Sequence, residues 1–70
     1  MNNTEKRLYS VDEARKILGI GKTKIYDLIR NGYIKALDLG GMKISAEEID
    51  RFINQYSGYS FKDMKNLSKI

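Results

Sequence analysis

Gly19-Ile20-Gly21-Lys22-Thr23-Lys24-Ile25-Tyr26-Asp27-Leu28-Ile29-Arg30-Asn31-Gly32 is the stretch that decides how this chain reads. Its two leading glycines mark a tight turn. A helix follows from Gly21 or Lys22, with Ile25, Leu28 and Ile29 as its buried stripe. At about 100° per residue, Thr23, Asp27 and Arg30 point away from that stripe, flanked by Tyr26 and Lys22. Gly21 is a tolerable N-cap, although Ser or Thr would cap better. Ile20 and Ile25 hold the N′ and N4 positions of a hydrophobic staple, which sets the angle at which the chain enters the helix. Asn31-Gly32 closes it.

Upstream, Arg7-Leu8-Tyr9 is a brief extended lead-in, and Ser10 with Glu13 forms a capping box. Val11, Ala14, Ile17 and Leu18 follow on one face of a helix that Gly19 stops. Two short helices joined by a glycine turn make a helix-turn-helix, whose second helix is the one that enters a DNA major groove. Downstream, Tyr33 to Leu39 reads as a strand, Gly40-Gly41 as a two-residue turn with positive φ, and Met42-Lys43-Ile44 as the returning strand. Leu39, Met42 and Ile44 are the expected anchors of this hairpin, and the alternation leaves open whether Ala36 or Leu37 faces the core. Ser45 with Glu48 is a second capping box, and Ile49, Phe52, Ile53 and Tyr56 mark one face of a third helix. The expected fold is mainly α with a small β-hairpin, a winged helix-turn-helix over residues 7–56. A flexible polar arm, 1–6, precedes it. A basic tail, 57–70, follows, either as a short helix capped by Ser60 with Phe61, Met64 and Leu67 on one face, or as a frayed end.

The chain has 70 residues, a net charge of +4 and a pI near 9.4, with neither histidine nor cysteine. One small domain is all this length supports. Thiolate and zinc sites, and the usual general base, are missing, so no enzyme activity, cofactor or metal is expected. The basic balance favours a polyanionic partner. No apolar run approaches the roughly 20 residues of a membrane span, and the start is polar, so the expected location is cytoplasmic.

The candidate DNA contacts follow from the helical faces. Lys22 and Lys24, in the first turn of the second helix, are placed to reach phosphates; as plain surface lysines they would oppose the helix dipole. Thr23 suits a thymine methyl or a phosphate, and Tyr26 a sugar or a phosphate. Arg30 suits guanine O6 and N7, or else an i,i+3 ion pair with Asp27. Asp27 either orients Arg30 or accepts from cytosine N4. Arg7, Arg15 and Lys16 lie at the domain start and on the first helix, which crosses the DNA backbone in this motif. Gly40, Gly41 and Lys43 are the wing candidates. Tyr33, Phe52 and Tyr56 read as packing residues.

The run Tyr9-Ser10-Val11-Asp12-Glu13-Ala14 through Leu18-Gly19-Ile20 resembles the opening of excisionase-type helix-turn-helix domains. Ile25-Tyr26-Asp27-Leu28-Ile29-Arg30-Asn31-Gly32, the wing Leu39-Gly40-Gly41-Met42-Lys43-Ile44 and a capped helix ending in Phe52-Ile53 complete the resemblance, which extends to the winged-helix branch related to the mercury-resistance regulators. It implies a mobile-element accessory protein that binds and bends specific DNA, self-associates on it, and assists an integrase of the tyrosine recombinase kind in excision. Control of a phage or plasmid operon, or a protein-interaction role without DNA, are the alternatives. Two departures stand out: Asp38 and Met42 replace basic or aromatic residues of the wing, whose tip looks one residue short, and Gly21 replaces the usual Ser or Thr cap.

Overall fold

Ser10 does two jobs at once. It ends the strand β1 (Leu8–Ser10) and caps the helix α1 (Val11–Leu18). Its hydroxyl accepts from the Glu13 N–H at 3.1 Å, and the Glu13 carboxylate accepts from the Ser10 N–H at 2.9 Å, so both arms of the capping box are closed. Gly19 ends the helix at φ +72°, a conformation that costs a residue with a side chain about 1–2 kcal/mol. The Ile20 N–H then returns to the Arg15 carbonyl at 2.9 Å, and α2 (Lys22–Arg30) begins from an extended Gly21. This computed structural model describes residues 6–70. The expected arm 1–6 therefore lies outside the described residues except for Lys6, whose ammonium pairs with Glu13 at 2.6 Å.

After α2 the chain departs from the expected strand over Tyr33 to Leu39. Only β2 (Leu37–Asp38) pairs with β3 (Met42–Ser45). The reason lies in where the backbone donors go. The N–H groups of Tyr33 and Ile34 both return to the Leu28 carbonyl, at 2.9 and 3.3 Å, wrapping the chain under α2 and burying Ile34. The Lys35 N–H goes to the Glu48 carboxylate at 2.8 Å. Ala36 packs against the core and Leu37 is exposed, which answers the question the alternation left open.

The hairpin loop is also longer than expected. Asp38 faces Met42, so Leu39, Gly40 and Gly41 form a three-residue connection in which Gly40 alone has positive φ. Of the three expected anchors, only Ile44 is buried; Leu39 and Met42, on either side of the Gly40-Gly41 tip, are exposed. The sheet gains a third strand instead, since β1 pairs antiparallel with the other edge of β3, Tyr9 facing Ile44.

Ser45 caps α3 (Ala46–Tyr56), its hydroxyl accepting from the Glu48 N–H at 3.0 Å. The reciprocal arm does not form, because the Glu48 carboxylate is taken by Lys35 and Arg51. Val11, Ala14, Ile25, Leu28, Ile34, Ile44 and Ile49 make the core, drawn from all three helices, β3 and the connection after α2. Ile17 and Ile53, on the expected apolar faces of α1 and α3, stay exposed.

The tail is neither the expected short helix nor a frayed end. β4 (Tyr59–Ser60) pairs antiparallel with β5 (Ser68–Lys69), with turns between them. Local side chains compete with helical bonding here: the Ser60 hydroxyl accepts from the Lys62 N–H and the Asp63 carboxylate from the Lys65 N–H. Phe61 places its ring 5.0 Å from Tyr33, 5.4 Å from Tyr56 and 5.5 Å from Phe52. No helix among the described residues is long and apolar enough to cross a membrane.

Three carboxylates tie these elements to pH. The Lys6 ammonium and the Ser10 N–H hold Glu13 down to about 2. Arg15 and Lys16 lower Asp12, and Arg51, with the Lys35 N–H, lowers Glu48. A carboxyl that is more acidic folded than unfolded stabilises the fold above its unfolded pKa, and that contribution goes as the pH falls through the folded value. Thermal stability followed by circular dichroism is expected to fall as the pH drops from 4.5 toward 2. Glu13→Gln should flatten that part of the profile.

Candidate nucleic-acid interface

The outer face of α2 collects four of the expected contacts. Lys22, Thr23, Tyr26 and Arg30 line one shallow surface hollow. Successive steps of about 100° bring positions 22, 26 and 30 into a row with 23 beside them. Tyr26 is 39% exposed and belongs neither to the core nor to the aromatic cluster. Asp27 borders this row and forms the ion pair with the Arg30 guanidinium, i to i+3. The structure thus forms the i,i+3 ion pair that the sequence offered for these two residues as the alternative to base reading. At the start of the helix, Gly21 contributes no side-chain cap, and the first intrahelical bond is Ile25 N–H to the Gly21 carbonyl at 3.2 Å. The amides ahead of it have no intrahelical acceptor, which is what an anion-binding helix start uses.

Lys24 does not join this row. Two helical steps carry it to the flank of α2, where it is half-buried beside Leu18, Ile20, Leu28, Phe52 and Phe61. Its ammonium donates to the Phe61 carbonyl at 3.3 Å. The lysine pair expected at the phosphates is therefore split, with Lys22 outside and Lys24 turned toward the C-terminal segment.

The remaining candidates do not line the α2 hollow. Arg15 Nε sits 2.7 Å and Lys16 Nζ 3.3 Å from the Asp12 carboxylate, which offsets much of their charge. Arg7 is exposed at the sheet edge, in a hollow that Glu47 and Asp50 share. On the hairpin, Gly40 and Gly41 form the exposed tip, and Lys43 lies in the middle strand between Ser10 and Leu37. The tip itself is apolar, with Leu37, Leu39 and Met42 exposed.

Sequence reading takes Glu48 only as half of a helix cap and passes over its partner Arg51. Glu48 and Arg51 bind each other through two contacts, at 2.8 and 2.6 Å. Together they grip the backbone between α2 and the hairpin: Glu48 accepts from the Lys35 N–H, and Arg51 donates to the Tyr33 carbonyl at 2.8 Å. The i,i+3 spacing of Glu48 and Arg51 was the available signal. Among the described residues, no group of His, Cys, Asp and Glu could hold a metal ion.

Comparison with curated proteins and with solved structures gave no match. The profile of the helix-turn-helix domain family, in contrast, matches residues 8–57, from β1 to the residue after α3. That span takes in both helices of the motif, the hairpin and the grip that Glu48 and Arg51 exert on it. By this match the chain belongs to the helix-turn-helix domain family, a membership that supports DNA binding.

Proposed function

We propose that the chain binds specific double-stranded DNA through the outer face of α2 and acts as an excisionase, bending DNA near attachment sites so that an integrase can excise a mobile element. The observation that carries the DNA face is the row Lys22, Thr23, Tyr26 and Arg30, exposed on the second helix of the motif with no packing role in the fold. In this geometry α2 enters the major groove, Arg30 reads a base edge, Lys22 and the free amides of the helix start take phosphates, and Tyr26 packs on the sugar-phosphate backbone. The hairpin then reaches the neighbouring backbone, with Lys43 as its cation.

The excision role is supported by the resemblance of the motif residues, and by size. A domain of this kind contacts too little DNA for high specificity alone, so copies bound side by side are expected to share the cost of bending, about 1–6 kcal/mol. Control of a phage or plasmid operon uses the same face.

The test is an NMR titration with a DNA duplex at two salt concentrations. Shifts at Lys22, Thr23, Tyr26 and Arg30, with affinity that falls steeply with salt, are expected. Arg30→Ala should cost about 1–3 kcal/mol and relax specificity at one base pair, whereas Lys22→Ala should weaken all sequences alike and reduce the salt slope by about 1. No shift at low salt overturns the DNA reading and leaves the α2 face as a protein-binding surface. With binding in hand, an excision assay with and without the integrase of the same element separates excision from operon control.

A further inference from the structure

The helix-turn-helix span is nearly neutral. Residues 8–57 hold eight Lys and Arg against seven Asp and Glu, so they account for only +1 of the net +4. Much of that positive charge is already engaged: Arg15 and Lys16 by Asp12, Arg30 by Asp27, and Arg51 by Glu48. Affinity for DNA is dominated by cations that neutralise phosphates. The charge of this span alone is thin for that task.

The segment after the family match carries twice as much. Residues 58–70 contain Lys62, Lys65 and Lys69 against the single Asp63, a net +2. The segment is also fixed beside the reading helix. The Phe61 carbonyl is held by Lys24 in the first turn of α2, and the Met64 carbonyl accepts from the hydroxyl of Tyr33, just beyond the end of α2. The two anchors stretch residues 61–64 along the flank of α2. Phe61 and Met64 turn inward against the core, which leaves Lys62 and Lys65 exposed. Asp63 spends its carboxylate on the Lys65 N–H and, at 3.5 Å, on the Asn66 amide. None of the ion pairs among the described residues involves Lys62 or Lys65.

We propose that the loop from Phe61 to Leu67 is a second DNA-contacting surface, in which Lys62 and Lys65 take phosphates of the strand that borders the groove occupied by α2. This rests on the reading of the α2 face as the DNA reader. A helix fills the width of a major groove of about 12 Å, so an element strapped along its flank lies over the phosphate ribbon. Contacts of this sort position the protein and carry no sequence information.

The test is the affinity of Lys62→Gln/Lys65→Gln in the full chain for a fluorescent mixed-sequence duplex, from about 50 to 200 mM salt. The expected result is a several-fold loss for every sequence and a slope of log affinity against log salt that is lower by about 0.9 per lysine. The melting temperature should not change, since neither side chain has a partner among the described residues. An unchanged slope, with affinity still lost in Lys22→Ala and Arg30→Ala, overturns the proposal and leaves the α2 reading standing. If the wild-type chain binds no duplex, both fall.

Discussion

Ile25→Ala should remove about 2–5 kcal/mol of stability. A domain of this size holds about 4–10 kcal/mol in all, so the variant is expected to be largely unfolded at physiological temperature. Ile25 has no exposed surface and lies in the core cluster with Ala14 of α1, Ile44 of β3 and Ile49 of α3. Truncation leaves a cavity that several elements would have to fill together, and a sequence without cysteine has no disulfide to tie them. Urea unfolding followed by circular dichroism measures the loss. Ile53→Ala is the comparison, because that side chain is 44% exposed, and its cost should stay within about 1 kcal/mol. Equal losses for the two would mean that the core is not centred on Ile25.

The second large effect is expected from Phe61→Ala. Its ring meets Tyr33 edge-on at 5.0 Å and lies within 5.5 Å of both Phe52 and Tyr56. Truncating a buried aromatic costs about 3–5 kcal/mol, and the partial exposure of this one places it near 3. The loss has a location as well as a size. Phe61, with Tyr59 on Tyr56, fastens the C-terminal hairpin to α3, so hydrogen exchange at residues 59–69 should accelerate more than at residues 25–28. Uniform acceleration would make the hairpin part of the same cooperative unit as the core, and no acceleration would mean that Phe61 does not anchor it.

The helices were legible in the sequence because their signals are local. Ser10 and Glu13, three residues apart, carry the start of α1, and Gly19 carries its end. The stripe Ile25, Leu28 and Ile29 sets the orientation of α2, and simple angular arithmetic then exposes Lys22, Thr23, Tyr26 and Arg30. What the sequence hid depends on partners far along the chain. Tyr33 to Lys35 has strand-forming residues, yet its amides answer to the Leu28 carbonyl and to Glu48. Phe61 and Met64 have helical spacing, but the same spacing lets two turns bring both inward, Phe61 onto Tyr33 and Phe52 and Met64 onto the core. Lys24 was misread for the same reason, since its partner is a carbonyl 37 residues away.

The grip of Glu48 and Arg51 on the chain between α2 and the hairpin falls on the Lys35 N–H and the Tyr33 carbonyl, both of which belong to the main chain. A joint made this way is blind to the side chains it holds. Position 35, exposed and free of any packing duty, can drift in sequence, charge or size while the angle between α2 and the hairpin stays the same. Evolution can thus retune what the neck of the wing presents to a partner without rebuilding the hinge, provided that two residues on a different helix are kept.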